Sequence, residues 1–286
     1  MSEDLLATVA NEGFQWMASS EGILWHSLGI WAQREQGAHP YADKLYRPYT
    51  LKAGDRELAI VFRDIYLSDW LGFNAWKGDN VSQAHAFYQE IKKIQQRLQA
   101  SADFPYLLTI ALDGENCWEY YQQDGKVFLE TLYQLLNDDA DINNTTVSDY
   151  LAQHPPTDTL EKLHPGSWIN SDFSTWIGEP TKNKAWDLLI DTRNVLLAHQ
   201  DTLSEAARAD AWEMLDTAEG SDWFWWFGVG HSSRHDAHFD LAFRTYLKGV
   251  YDVLGIDVPE VLHCPLEAHE GSAHGLSTMQ ASQEGY

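Results

Sequence analysis

The segment between residues 106 and 116 constrains the fold more than any other part of the chain. A run of apolar and β-branched residues at 106–112 (Tyr-Leu-Leu-Thr-Ile-Ala-Leu) is typical of a buried strand, and it stops abruptly at Asp-Gly-Glu-Asn, 113–116. At the carboxyl end of a strand in an α/β architecture, two carboxylates so placed indicate an active site. A polar strand-to-helix turn, with Asp113 or Asn116 as a helix cap, is the alternative.

Two earlier runs have the same form, an apolar strand followed by polar residues. Residues 14–18 lead into Ser-Ser-Glu at 19–21, and residues 57–62 lead into Arg63 and Asp64. Segments with the helical spacing of apolar residues separate the three runs. This alternation predicts a parallel sheet whose strand ends define one face, although three strands are too few to close a barrel.

The character of the sequence changes after Gly125. Residues 1–125 alternate between strands and helices, whereas residues 126–265 are expected to form a mostly helical subdomain. The last residues, 266–286, have little apolar content and no periodicity, so we expect a flexible tail. Helices are predicted at 2–11, 23–32, 82–100, 126–136, 184–199, 204–219 and 236–254.

Charge and cysteine content exclude several classes of protein. The chain carries 43 acidic and 19 basic residues, a net charge of −24, which repels nucleic acid and anionic membranes. No apolar run reaches transmembrane length, and the first twenty residues lack the features of a signal peptide, so we expect a cytoplasmic protein. Cys117 and Cys264 are too few and too far apart for a disulfide framework or a thiolate metal site.

Aromatic residues are more informative about a ligand. Thirteen Trp and thirteen Tyr are present, and four consecutive aromatic residues, Trp-Phe-Trp-Trp, occupy 223–226. Planar aromatic faces suit the C–H faces of sugar rings, and the polar edges can hydrogen-bond hydroxyl groups. Carbohydrate binding is therefore one interpretation of this block, and the filling of a core is the other.

Five blocks of sequence together resemble glycoside hydrolase family 57, retaining enzymes active on α-glucans. In chain order they are Gly13-Phe-Gln-Trp16 through Glu21-Gly-Ile-Leu24, Leu45-Tyr-Arg-Pro-Tyr49 with Phe62-Arg-Asp64 and Leu67-Ser-Asp69, Leu112-Asp-Gly-Glu-Asn116 with Trp118-Glu119, Phe173-Ser-Thr-Trp-Ile-Gly178, and Gly220-Ser-Asp-Trp-Phe-Trp-Trp226. The resemblance is nearest to the amylopullulanase and α-amylase branch. It implies an α/β fold, the later strands of a (β/α)7 barrel, followed by the mostly helical subdomain.

The resemblance also implies roles for individual residues. Asp113 matches the general acid/base, and Glu115, Arg63 and Asp64 are expected to support it. The residues expected to bind substrate are Trp118, Glu21, Asp69, Asp222, Trp223, Trp225 and Trp226. For Arg63 with Asp64 and Asp69, a structural bridge between an arginine and a carboxylate is an equal alternative, because the guanidinium fork suits both roles.

The chain departs from the family pattern in one important way. It contains neither the His-Gln-Pro motif nor the Trp-x-x-Glu-Gly-Ser segment that holds the nucleophilic Glu in the family. Retaining glycosidases need two carboxyl groups about 5–5.5 Å apart. Glu115 is too near Asp113 along the chain to flank a bound sugar with it, and Glu21 aligns with an acidic position that is not the nucleophile. We therefore expect this chain alone to hydrolyse little or nothing.

Three functions from different classes follow. The first is a retaining hydrolase or transferase of α-1,4 and α-1,6 glucans such as starch, glycogen or pullulan. The second is a non-catalytic α-glucan-binding module. The third is one half of a split enzyme, completed by a separately encoded amino-terminal half or by self-association. No cofactor is expected. Although His231, His235 and His238 have metal-ligand spacing, a helix start explains them better, so no metal is expected either.

Overall fold

The computed structural model describes residues 1–31, 39–99, 104–114, 118–233 and 235–266. Its α-helices and β-strands, in chain order, are α1 (Glu3–Asn11), β1 (Trp16–Ser20), α2 (Glu21–Leu28), α3 (Ala42–Leu45), β2 (Tyr49–Ala53), β3 (Arg56–Arg63), α4 (Ile65–Asp69), α5 (Asn80–Gln99), α6 (Lys126–Asp138), α7 (Val147–Gln153), β4 (Asp158–Thr159), α8 (Pro180–His199), α9 (Glu205–Ala218), α10 (Ser221–Trp226) and α11 (Asp236–Leu254). The described chain forms two compact units, divided between Asp172 and Phe173.

The first unit contains a mixed sheet in the order β1-β3-β2-β4. Strands β1 and β3 are parallel, with Trp16 opposite Ala59 and Ser20 opposite Arg63. This pair confirms the parallel arrangement that the alternation of elements predicts. Strand β2 is antiparallel to β3, and β4 is parallel to β2. Neither β2 nor β4 is predicted from the sequence.

The hairpin between β2 and β3 depends on a tight turn. Gly54 adopts a φ of 65°, a left-handed conformation that favours glycine. Along β2 the side chains of Tyr49, Leu51 and Ala53 are buried, whereas Lys52 is exposed. This alternation is that of a strand with one face in the core.

The segment at 106–112 is extended but does not form the regular buried strand that its apolar sequence predicts. It joins β3 through one isolated parallel bridge, between Arg63 and Thr109. The backbone N–H of Asp64 donates to the carbonyl of Thr109 at 2.9 Å, and that of Leu107 donates to the carbonyl of Tyr46 at 2.8 Å. The sequence prediction is thus correct about the direction of this segment and wrong about its regularity.

Helices α5 and α6 pack against each other and share the core of the first unit with residues of the sheet. Phe62, Phe87 and Phe128, from β3, α5 and α6, are each at most 1% exposed. Because α6 belongs to this core, the change of sequence character after Gly125 does not coincide with the division between the units. The predicted tail lies outside the described residues apart from Leu266, which is buried.

The second unit is helical where it is described. Helices α8, α9 and α11 agree with those predicted from periodicity, whereas α10 is not predicted. Capping side chains set two of the starts: Glu179 accepts hydrogen bonds from the N–H groups of Thr181 and Lys182 at 2.9 and 3.1 Å, and Ser204 accepts from Ala207 at 3.2 Å. The core lies among α8, α9, α10 and α11. Across the described residues of the whole chain, no helix is long and apolar enough to cross a membrane.

Candidate functional site

Asp64, directly after β3, fixes the short helix α4 at the end of the strand. One carboxylate oxygen accepts the N–H of Leu67 at 2.8 Å as a helix cap, and the other accepts the hydroxyl of Tyr46 at 2.5 Å. Asp64 is fully buried, so both interactions are shielded from solvent. This carboxylate orients α4, and its support of Asp113 stays a prediction.

Arg63, the last residue of β3, forms a buried ion pair. Its Nη2 donates to the Oδ1 of Asp69 at 2.5 Å, and its guanidinium lies 4.6 Å from the ring centre of Trp168. Arg63 and Asp69 are 7% and 2% exposed. The structure therefore supports the structural bridge, one of the two alternatives that the sequence leaves open.

The segment that carries Asp113 is held by side chains rather than by strand pairing. The N–H of Ala111 donates to the hydroxyl of Ser68 at 3.3 Å, and the carbonyl of Ala111 accepts from Nη1 of Arg63 at 3.2 Å. Both side chains are buried. We call these two hydrogen bonds the clamp on Ala111. Asp113 follows two residues later and is half-buried, so the clamp fixes the backbone that leads to its carboxylate. Glu115, its predicted neighbour in the site, lies outside the described residues.

Glu21 begins α2 at the end of β1 and joins the same edge. Its Oε2 accepts the N–H of Ile65, the first residue of α4, at 3.1 Å, and the side chain is buried. A carboxylate near the start of α4 also satisfies a backbone donor that the helix leaves free. Glu21 thus links the ends of the two parallel strands.

Trp118 packs into the core beside the site. Its ring lies 5.1 Å from that of Tyr121 and 6.2 Å from that of Phe128. A Cβ on Gly125 would come within 2.8 Å of the Trp118 ring, so glycine is required for this packing. Trp118 has a φ of 77°, which is unusual for a residue other than glycine. Trp118 thus has a packing role in the first unit, and its contact with substrate stays a prediction.

The remaining predicted site residues belong to the second unit and share helix α10. Asp222 is exposed, and Trp223 donates from Nε1 to the carbonyl of Thr217 at 3.2 Å. Trp226 is only 4% exposed and stacks on Phe239 at 5.6 Å. Most of its ring is therefore part of the core of the second unit.

Trp225 belongs to a small cluster of aromatic rings. It is half-buried and stacks on the imidazole of His231 at 3.7 Å, with Trp176 at 5.8 Å. Burial lowers the pKa of His231, and the nearby charge of Lys182 lowers it further. The ring is therefore held in its neutral form at neutral pH.

One of the three histidines considered for metal binding, His235, takes the N-cap position of α11. His231 stacks on Trp225, and the start of α11 is fixed by Asp236, whose carboxylate accepts from the hydroxyls of Ser232 and Ser233 at 2.9 Å. The helix-start interpretation agrees with these contacts. Within the part of the chain that the structure describes, no group of three or more His, Cys, Asp or Glu side chains could hold a metal ion.

Sequence reasoning assigned no role to Ser68. It lies beside Asp69 in one of the quoted blocks, but nothing in its local pattern reveals a contact with a backbone 43 residues away. Tyr46 was missed in the same way. Both residues stand in a block of sequence that resembles the family, and this is the signal that could have identified them. Their hydrogen-bond partners, however, are distant in sequence and follow only from the three-dimensional structure.

The fold and the site together define an α/β protein whose charged side chains converge at the carboxyl ends of parallel strands, where an acidic segment is held in place. This is the class of architecture in which enzymes place their active sites. The sequence matches the family model described as glycosyl hydrolase family 57 over residues 1–163. The chain belongs to that family.

Solved structures share the fold. A family 57-type branching enzyme from Pyrococcus horikoshii is 13% identical, with a TM-score of 0.60 over 93% of this chain and 59% of that chain. A branching enzyme from Thermococcus kodakaraensis is 13% identical, with a TM-score of 0.69 over 86% and 53%. A 4-α-glucanotransferase from Thermococcus litoralis is 14% identical, with a TM-score of 0.59 over 88% and 40%.

At these identities the likeness concerns the fold. The chain spans between 40% and 59% of the length of these three structures. Among curated proteins, no sequence matches the chain significantly.

Proposed function

We propose that this protein acts on α-1,4- or α-1,6-linked glucan, by retaining hydrolysis or transfer, with Asp113 as the general acid/base. The observation that carries the proposal is the clamp on Ala111 in a chain of family 57. Buried side chains of β3 and α4 fix the backbone two residues before Asp113, and preorganisation of this kind is what a catalytic carboxyl requires. The names of the structural neighbours include a branching enzyme and a 4-α-glucanotransferase, which support transfer, and an α-amylase from Thermotoga maritima, which supports hydrolysis.

In this mechanism Asp113 acts twice. It first donates its proton to the glycosidic oxygen as the bond to the anomeric carbon breaks and a carboxylate attacks that carbon from the other face. It then removes a proton from the incoming water or sugar hydroxyl, which releases the enzyme carboxylate. Hydrolysis and transfer differ only in the acceptor, which is water in hydrolysis and a sugar hydroxyl in transfer.

The attacking carboxylate is proposed to come from residues beyond these 286. Asp69 is committed to Arg63 and Glu21 accepts a backbone N–H of α4, so neither is a free nucleophile. The family motif that carries the nucleophile is not in the sequence. The proposal therefore includes a second polypeptide segment, and predicts that the chain alone binds glucan with little turnover.

Titration with maltoheptaose, followed by tryptophan fluorescence and calorimetry, tests the substrate class. We expect saturable binding at or below millimolar sugar, with weaker binding of a β-linked cello-oligosaccharide of the same length. The absence of a saturable signal up to millimolar maltoheptaose contradicts the proposal. Chromatography of the sugar after incubation then reports turnover.

A glucan-binding module without catalysis is the second candidate, because the half-buried Trp225 and Trp176 could bind sugar without any carboxylate. Addition of a polypeptide that carries the missing Trp-x-x-Glu-Gly-Ser segment separates the two candidates. Recovery of turnover favours the enzyme. Unchanged binding without turnover in a complex shown to form favours the module.

A further inference from the structure

Two buried polar atoms at the strand ends have no hydrogen-bond partner among the described residues. They are the hydroxyl oxygen of Ser20 and Nε of Arg63. Ser20 is fully buried, and Arg63 is 7% exposed. A buried donor without a partner is costly, because it has lost its hydrogen bonds to water and gained none in return. Because these two atoms belong to residues paired across β1 and β3, they together indicate a ligand.

The two residues are neighbours across the sheet. Ser20 and Arg63 stand opposite each other in the parallel register of β1 and β3. Side chains opposite each other in a sheet lie on the same face. Ser20 also occupies the N-cap position of α2, yet its hydroxyl makes no capping hydrogen bond. A serine at this position usually accepts a backbone N–H. Because Ser20 does not, its hydroxyl is available for another partner.

The chemistry of the two atoms defines what can bind. Nε–H of arginine only donates, and the serine hydroxyl can donate or accept, so the ligand must contain an acceptor. The charge of Arg63 is already balanced by Asp69 at 2.5 Å. An additional buried anion would be left without a countercharge, which disfavours a carboxylate or phosphate. A neutral oxygen fits both atoms without that cost.

We propose that Ser20 and Arg63 form a binding site for one neutral hydroxyl-type oxygen. In the free protein this oxygen belongs to a water molecule, for which two polar partners suffice. A glucan hydroxyl is the second possible source, and only that source rests on the proposed function. The bound oxygen accepts from Nε of the same guanidinium whose Nη1 holds the carbonyl of Ala111.

A high-resolution crystal structure of the full chain tests the site, with and without maltoheptaose and after a bromide soak. A density peak about 3 Å from both atoms in sugar-free crystals assigns water. A peak that appears only with sugar assigns the glucan hydroxyl. No peak in either crystal, or a bromide anomalous peak in its place, overturns the proposal.

The variant Ser20→Ala gives an independent test whose sign differs between the two cases. If the hydroxyl binds an oxygen, its removal lowers the thermal midpoint by about 2–4 °C. If the hydroxyl has no partner, its removal leaves the midpoint unchanged or raises it, and the proposal is overturned. The exposed Thr8→Ser variant is the control, and its midpoint should stay within about 1 °C of wild type.

Discussion

Nη1 of Arg63 donates to the carbonyl oxygen of Ala111 at 3.2 Å, so an ion-paired side chain at the end of β3 holds the backbone that leads to Asp113. The segment has one bridge to the sheet, at Thr109. Beyond that bridge, the backbone is held by hydrogen bonds with the side chains of Arg63 and Ser68 instead of by strand pairing. The position of Asp113 thus depends on a small number of contacts that can be removed one at a time.

Removal of the Ser68 hydroxyl should loosen this segment. In Ser68→Ala the N–H of Ala111 loses its acceptor, and one hydrogen bond contributes about 0.5–1.5 kcal/mol. We expect hydrogen exchange at Ala111 to quicken by about 2- to 10-fold. Measurement of amide exchange by NMR checks this, with the exposed Ser82→Ala as control. Unchanged exchange at Ala111 would show that Ser68 does not hold the segment.

Breaking the buried pair should destabilise the first unit. Arg63→Met leaves the Asp69 carboxylate buried without its arginine, so the free energy of unfolding should fall by about 3–5 kcal/mol. The double variant Arg63→Met/Asp69→Leu should recover part of that loss. Urea unfolding measures both. As control, Glu130→Gln breaks an exposed pair with Lys126 and should cost at most about 1 kcal/mol. Equal losses at the two pairs would contradict this account.

The tryptophans of α10 should separate into binding and core residues. Trp225→Ala should weaken maltoheptaose binding about tenfold, or about 1.4 kcal/mol, since it removes the half-buried ring beside His231. Trp226→Ala empties a core position and should lower stability by about 3–5 kcal/mol. Calorimetry and thermal unfolding measure the two effects. Undiminished affinity in Trp225→Ala would exclude this ring as the sugar platform.

Acid should weaken the contact between α5 and the end of α6. The carboxylate of Asp139 accepts from Lys92 and Tyr88, which lowers its pKa to about 2. The unfolded value is about 3.9, so the contribution to stability is present above about pH 4 and is lost as the pH falls toward 2. Asp139→Asn should therefore flatten the decline of the thermal midpoint over that window. The exposed Asp55→Asn should leave the decline as in wild type; identical curves for both variants would contradict the assignment.

Much of the fold is predictable because local signals determine it. Helices α5, α8, α9 and α11 follow from the spacing of their apolar residues. The segment at 106–112 has the composition of a buried strand, but β2 already occupies the side of β3 that the segment would use, as far as the pair Tyr49–Ile60. Beyond that pair only Val61, Phe62 and Arg63 of β3 remain on this side, and Thr109 bridges the last of them. Competition for a strand edge depends on distant parts of the chain and leaves no local signature.

The candidate site was predictable in its residues and not in its contacts. Arg63, Asp64 and Asp69 were identified from their place after an apolar strand. Asp64 caps α4, whereas Asp69 pairs with Arg63. This division depends on which carboxylate the short helix directs toward the end of β3. Sequence spacing does not distinguish a carboxylate that binds sugar from one that holds an arginine.

The role of Asp113 is the central claim, and turnover of maltoheptaose by the chain together with a polypeptide that carries the missing nucleophile segment tests it most directly. We expect turnover that Asp113→Asn lowers by at least about 100-fold, with binding retained, because a positioned general acid contributes about 10²–10⁴-fold. The exposed Asp55→Asn should keep wild-type turnover. Turnover by Asp113→Asn equal to that of the wild type would contradict the account.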